Sequence, residues 1–247
     1  MDMEFKEKFI AKWNRYFGKA DLPIVFYYTD EEGRGEMVPT PSGQQCVISA
    51  LGNVRNGKSL YFGEDSIGCG GGKRYLGFTH EMRDGFEYFL SYGIKGQMEG
   101  ERYKKTPEIV KKMMRDMPPF KAPARFIVFK RWDKLIKEDE PEVVIFFAKS
   151  DIMSGLFTLS GFEEVNPHQV IAPFAAGCGS IVLHPYLEIN KPQQRCVIGM
   201  FDVSARPYVP SNRLSFAIPI EKFRRMIDDM DESFLITQSW DKVKRRI

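Results

Sequence analysis

Apolar residues recur along this chain with two different periods, and the switches between them outline its elements. From Met3 onward, Phe5, Phe9, Ile10, Trp13, Tyr16 and Phe17 share one helical face, and Gly18 ends the pattern. LPIVFYYTD then reads as a strand, closed by the polar turn EEGRGE. Ser42 followed by Gln45 makes a capping box, behind which Cys46, Val47, Ala50, Leu51 and Val54 continue at helical spacing up to Asn56-Gly57. Helical spacing returns from His80 to about Tyr92, with Met82, Phe86, Phe89 and Leu90 on one face. Thr106-Pro107-Glu108 starts another helix, whose stripe of Ile109, Val110, Met113, Met114 and Met117 is expected in the core.

Beyond Pro118-Pro119, ARFIVF and EVVIFF are strand-like, and Ser150 can cap a helix through Phe157. VIAPFAA, SIVLHP, RCVIGMFD and RLSFAIP read as further strands, followed by the helix PIEKFRRMIDDM and a short terminal helix in SWDKVKRRI. No tandem period and no regular βαβ alternation occur. The pattern predicts an α+β fold, a mixed or antiparallel sheet with surrounding helices, as one domain over residues 1–247 or two intimately packed halves, 1–120 and 121–247.

Composition narrows the function classes. Apolar residues make up 43% of the 247 positions, enough for a sizeable core. Lys and Arg number 36 against 33 Asp and Glu, a net charge of +3, too even a balance for a general nucleic-acid binder. No apolar run reaches the roughly 18 residues of a membrane span, and MDMEFKEKF is charged where a signal peptide is hydrophobic, so a cytoplasmic protein is expected. The four cysteines, Cys46, Cys69, Cys178 and Cys196, would there be thiols or ligands. A small molecule or a redox protein is the expected partner, with no motif that sets the oligomeric state.

GNVRNGKS, Gly52–Ser59, matches the phosphate-loop pattern letter for letter. Its context is reversed. A phosphate loop follows a strand and opens a helix, whereas here Gly57 closes a helix and SLYFGEDS continues as strand and turn. VIGMF with Asp202 offers the strand and acid of a magnesium site, but it reads equally as a core strand, so the NTPase reading ranks last.

The series KWNRYFG, LPIVFYYTDE, QQCVISAL, CGGGKRYLGF, FLSYG with GERYKKTPE, DEPEVVIFFA, CGS and RLSFAIPIEKF runs nearly end to end. In order and spacing it resembles the uncharacterised domain-of-unknown-function family 169, labelled ArCR. That family carries no firmly assigned activity. The resemblance implies cysteines kept in the early helix, before the glycine run and in the CG pair, which fall on Cys46, Cys69 and Cys178; Cys196 does not stand out.

Cys46 lies in the first turns of a predicted helix, whose positive end favours a thiolate. Cys69 and Cys178 stand beside glycines that let backbone approach a bulky centre and donate N–H groups to sulfur. These three thiols are candidate ligands of an iron–sulfur cluster or other soft metal serving redox chemistry or sensing, with Cys196 or a non-protein group as a fourth partner. The spacing C-x22-C-x108-C-x17-C matches no compact ferredoxin or zinc pattern, so buried thiols packing as small apolar residues are equally compatible with it. A nucleophilic cysteine would need a base, and none of His80, His168 and His184 is a sequence neighbour of one. The alternative site is an anion or small-molecule module without metal, in which Gly70, Gly71, Gly72 and Lys73 of GCGGGKR wrap the ligand, helped by Arg74; its plain counterpart is a simple turn. No dinucleotide fingerprint supports a flavin.

Overall fold

The computed structural model describes residues 1–247. The chain opens with helix α1 (Met3–Phe17), where the Asp2 carboxylate accepts the Glu4 N–H at 2.9 Å and Gly18, at φ 65°, stops the helix. Strands β1 (Ile24–Thr29) and β2 (Glu36–Met37) lead to helix α2 (Val47–Arg55) and strand β3 (Leu60–Phe62). The short helices α3 (Gly70–Tyr75) and α4 (Phe86–Phe89) and the longer α5 (Pro107–Asp116) follow. The second part of the chain gives β4 (Phe126–Arg131), β5 (Val143–Ala148), α6 (Ser150–Ser160) and β6 (Val170–Ile171). A π-helical turn over Gly179–Leu183 runs into α7 (His184–Tyr186), then come β7 (Cys196–Gly199), β8 (Leu214–Pro219), α8 (Ile220–Asp229) and α9 (Gln238–Lys244).

The eight strands form one mixed sheet in the order β2-β3-β4-β1-β5-β8-β7-β6, with parallel pairs only at its two ends. This is the expected α+β fold. β1 is hydrogen-bonded between β4 and β5, pairing Ile24 with both Arg131 and Ile145, so a cut near residue 120 would part central strands.

Strand periodicity divides the core in two. Ile24, Phe26, Phe129, Ile145 and Ala217 face a layer built from α2, α3 and the π turn, whereas Val25, Val144, Phe146, Phe216 and Ile218 face α1, α6, α8 and α9. On the second face Phe9, Trp13, Phe146, Trp132 and Phe223 form a continuous aromatic block, with Trp13 stacked on Phe17 at 4.2 Å. The first face carries the cavity described below.

Four sequence readings shift. The helix expected over His80–Tyr92 contracts to α4, because Gly85 takes the left-handed conformation at φ 75° and interrupts it. SIVLHP is helical, not extended: its apolar run is buried on all sides, and such a run has no period by which to tell strand from helix. The capping box at Ser42 is unused, since Cys46 is the residue that precedes the first turn of α2. GCGGGKR is not a turn but the opening of α3, with Cys69 before its first turn.

Candidate functional site

The phosphate-loop match is settled by this geometry. Gly52–Arg55 belong to the end of α2 and Ser59 precedes β3, so the segment runs helix to strand. Gly57, at φ 100°, closes the helix. Asp202, the acid of the magnesium-site reading, is instead consumed as a clamp. Its carboxylate accepts the Gly177 N–H at 3.0 Å, the Tyr103 hydroxyl at 3.1 Å, and the Ser204 N–H and hydroxyl at 3.0 and 2.8 Å.

A cavity of about 390 Å³ opens on the first face of the sheet, and Cys46, Cys69 and Cys178 all line it. Cys46 and Cys69 stand immediately before the first turns of α2 and α3, and Cys178 lies in the helical turn, begun at Gly177, that leads into the π turn. Glycines bring those segments together. A methyl group on Gly68 would lie 2.4 Å from the Gly43 carbonyl oxygen and 3.1 Å from the Gln45 nitrogen, so only glycine lets the strand of chain before Cys46 rest against that before Cys69. Gly179 plays the same part between Cys178 and α3, because its added methyl would meet the Tyr75 ring at 2.8 Å. The Asp202 clamp fixes Gly177, and with it the third arm of the site.

Gly70 and Gly71 behave differently. A methyl on Gly70 would touch nothing within 4 Å, and one on Gly71 would make only ordinary contact, with Cys69 Sγ at 3.8 Å. Neither has a positive φ. Glycine costs a helix roughly 1 kcal/mol relative to alanine, and here neither packing nor backbone conformation requires it. Both line the cavity, as does Gly72, leaving bare backbone facing the space beside Cys69. Lys73 is separated from this group: it is not among the cavity's lining residues, and its ammonium lies 4.0 Å from Glu64. Arg74 is likewise turned away, donating to the His80 carbonyl.

The electrostatics run against the expectation for Cys46. Burial pushes its thiol up, while the Ile48 and Ser49 N–H groups at the start of α2 pull the other way without prevailing. Burial pushes the Cys178 thiol well up, and negative charge on Cys69 or Cys46 would raise it further. The Tyr75 phenol is pushed up to about 12, by burial first and then by the neighbouring Cys178. In the absence of a positive centre Cys46 and Cys178 are therefore protonated at neutral pH. Cys196 is elsewhere: fully buried in β7, it packs in the core on the opposite face of the sheet and has no access to the cavity.

No three His, Cys, Asp or Glu side chains are gathered tightly enough to grip a single metal ion as they stand. The donor set around the cavity is three thiols, one of them buried and two half-buried.

A family model described as DUF169, uncharacterised ArCR, matches residues 19–229. The chain belongs to this family. Every residue lining the cavity lies within the matched stretch, whereas α1 and α9 lie outside it. Those two helices join on the far face, where the Trp240 indole N–H donates to the Tyr16 carbonyl at 2.8 Å. No curated protein and no solved structure matches the DUF169 chain. No helix is long and apolar enough to cross a membrane.

Sequence reasoning missed several members of the site. Met113, assigned to a core stripe, lines the cavity, and so do Tyr103, Phe174 and Asp202. Backbone strain marks two of these positions: the chain's two non-glycine residues with positive φ are Arg102, at 55°, next to Tyr103, and Met200, at 66°, two residues before Asp202.

Proposed function

We propose that this DUF169 protein binds an iron–sulfur cluster through Cys46, Cys69 and Cys178 and serves redox chemistry or sensing in the cytoplasm, where such thiols stay reduced. One observation carries the reading: three cysteines far apart in sequence, each at the start of a helical segment, border a single cavity. Backbone N–H groups of Ile48 and Ser49 beside Cys46 and of Gly179 beside Cys178 favour the thiolate form of those two, which would support ligation. When bound, the cluster would supply one-electron chemistry; the chain's own residues hold it, keep bare backbone beside it at Gly70 and Gly71, and limit access through the cavity. Cys196 takes no part, so any further coordination position is left to a non-protein group from the cavity.

Cys69 is the member to change first, being half-buried and free of core packing duties. With Cys69→Ser, iron and sulfide content should fall to about a tenth of the wild-type value or less while the circular dichroism spectrum is kept. Cys196→Ser should leave the content unaltered if the protein folds. Full metal content in Cys69→Ser would refute the assignment.

A further inference from the structure

The cysteines occupy only one end of the cavity. Much of the remaining wall is aromatic or thioether: Met82, Phe86, Phe89, Met113 and Phe174. These side chains are poorly satisfied by the fold. α4 buries none of its residues although three of its four are aromatic, and Phe174 is 54% exposed, with only the edge of Tyr103 at 6.0 Å as an aromatic neighbour. Partly exposed apolar rings around a concave volume of about 390 Å³ call for a molecule of that size, not for a protein surface.

The charges around it indicate what the molecule carries. The Arg83 guanidinium stacks 4.4 Å from the Phe89 ring and has no carboxylate within ion-pair distance, and the Lys104 ammonium sits 4.1 Å over Phe174, also without an acidic partner. Against them stands Glu101, exposed at the rim, while Asp202 is saturated by its N–H and O–H donors. Rings and sulfurs favour a flat π system by offset and edge contacts, and a guanidinium held over a ring without an acidic partner is available to an anionic substituent.

We infer that the aromatic end of the cavity binds a planar aromatic molecule bearing an anionic group, held between Phe89 and Phe174 with Arg83 at its charge. The inference shares the cavity with the metal reading and stands without it.

The test uses naphthalene-2-sulfonate as probe, with its saturated analogue decahydronaphthalene-2-sulfonate and neutral 2-naphthol as comparisons, titrated by calorimetry into the full chain and into Cys69→Ser. The naphthalene sulfonate should bind to both proteins, and about tenfold more tightly than its saturated counterpart, the scale of an aromatic contact. Phe89→Leu should weaken it about tenfold, and Arg83→Gln should weaken the sulfonate several-fold while leaving 2-naphthol unchanged. Both side chains are at least partly exposed, and unchanged melting temperatures will show that the fold is kept. Equal affinity for the saturated and aromatic sulfonates, or indifference to Phe89→Leu, overturns the inference. Binding to wild type that vanishes in Cys69→Ser also overturns it, since the site would then belong to the thiol end alone. Ring binding retained in a protein that never holds iron would uphold this inference and sink the cluster.

Discussion

Gly70 and Gly179 are both glycines beside a cysteine, yet physically they are opposites. Gly179 is required by close approach to Tyr75, whereas Gly70 has open space where its side chain would be. Gly179→Ala should therefore destabilise the protein by about 1–3 kcal/mol, the ordinary cost of overpacking, read as a lower melting temperature. Gly70→Ala should hold or raise the melting temperature, since alanine is the better helix former, while lowering ligand or cluster occupancy by placing a methyl in the cavity. A Gly70→Ala protein of unchanged occupancy would show that the bare backbone there has no binding role. The sequence displayed both simply as glycines after a cysteine, and nothing in the letters CGG or CGS separates one that packs from one that faces space. The cysteines were legible as candidates because thiols are few and chemically distinctive. Tyr103 was not, and Asp202 stood out only as the acid of a magnesium site, because their actual role comes from a bond between residues 99 positions apart.

At the scale of elements, strongly periodic segments were readable and short ones were not. α1 and α8 bury one face each, and their spacing announces it. α3 and α4 are too short for a period, and their conformation is decided by the neighbours against which they pack. α8 also ends badly for its charges, with Asp228 and Asp229 at the negative end of the helix. Burial raises the Asp229 carboxyl to about 6, and Glu163, Asp228 and Glu232 add to the shift against the opposing Arg225. A folded value above the ordinary carboxylate value means that protonation favours the folded state. That contribution is fully present below the unfolded value of 3.8 and is lost as pH rises through about 6. Asp229→Asn should accordingly raise the melting temperature at pH 7.5 and leave it nearly unchanged at pH 3.5. An equal effect at both values would contradict the role of burial.

Across the whole molecule, the sheet separates a densely aromatic support face from the face that carries the cavity, and the three thiols meet only because α2, α3 and the π turn are laid on the same side. Burial raises Cys46 and Cys178 above the ordinary thiol value, so the metal-free fold is favoured by their protonated forms; this contribution is present below the unfolded value of 9.0 and lost as pH rises through the folded ones. Ligation must displace those protons. Anaerobic reconstitution should therefore improve steadily from pH 6 to pH 8.5 and release protons, measured with an indicator dye in weak buffer; uptake independent of pH would contradict thiolate ligation.

The most direct measurement is the visible spectrum of the protein isolated without exposure to air, taken with iron and acid-labile sulfide analysis of the same sample. The account predicts a brown protein with broad absorption near about 400 nm and iron matched by sulfide. A colourless protein that neither contains iron nor takes it up with sulfide under anaerobic reconstitution would return the three cysteines to the role of packed, protonated thiols around an organic-ligand cavity.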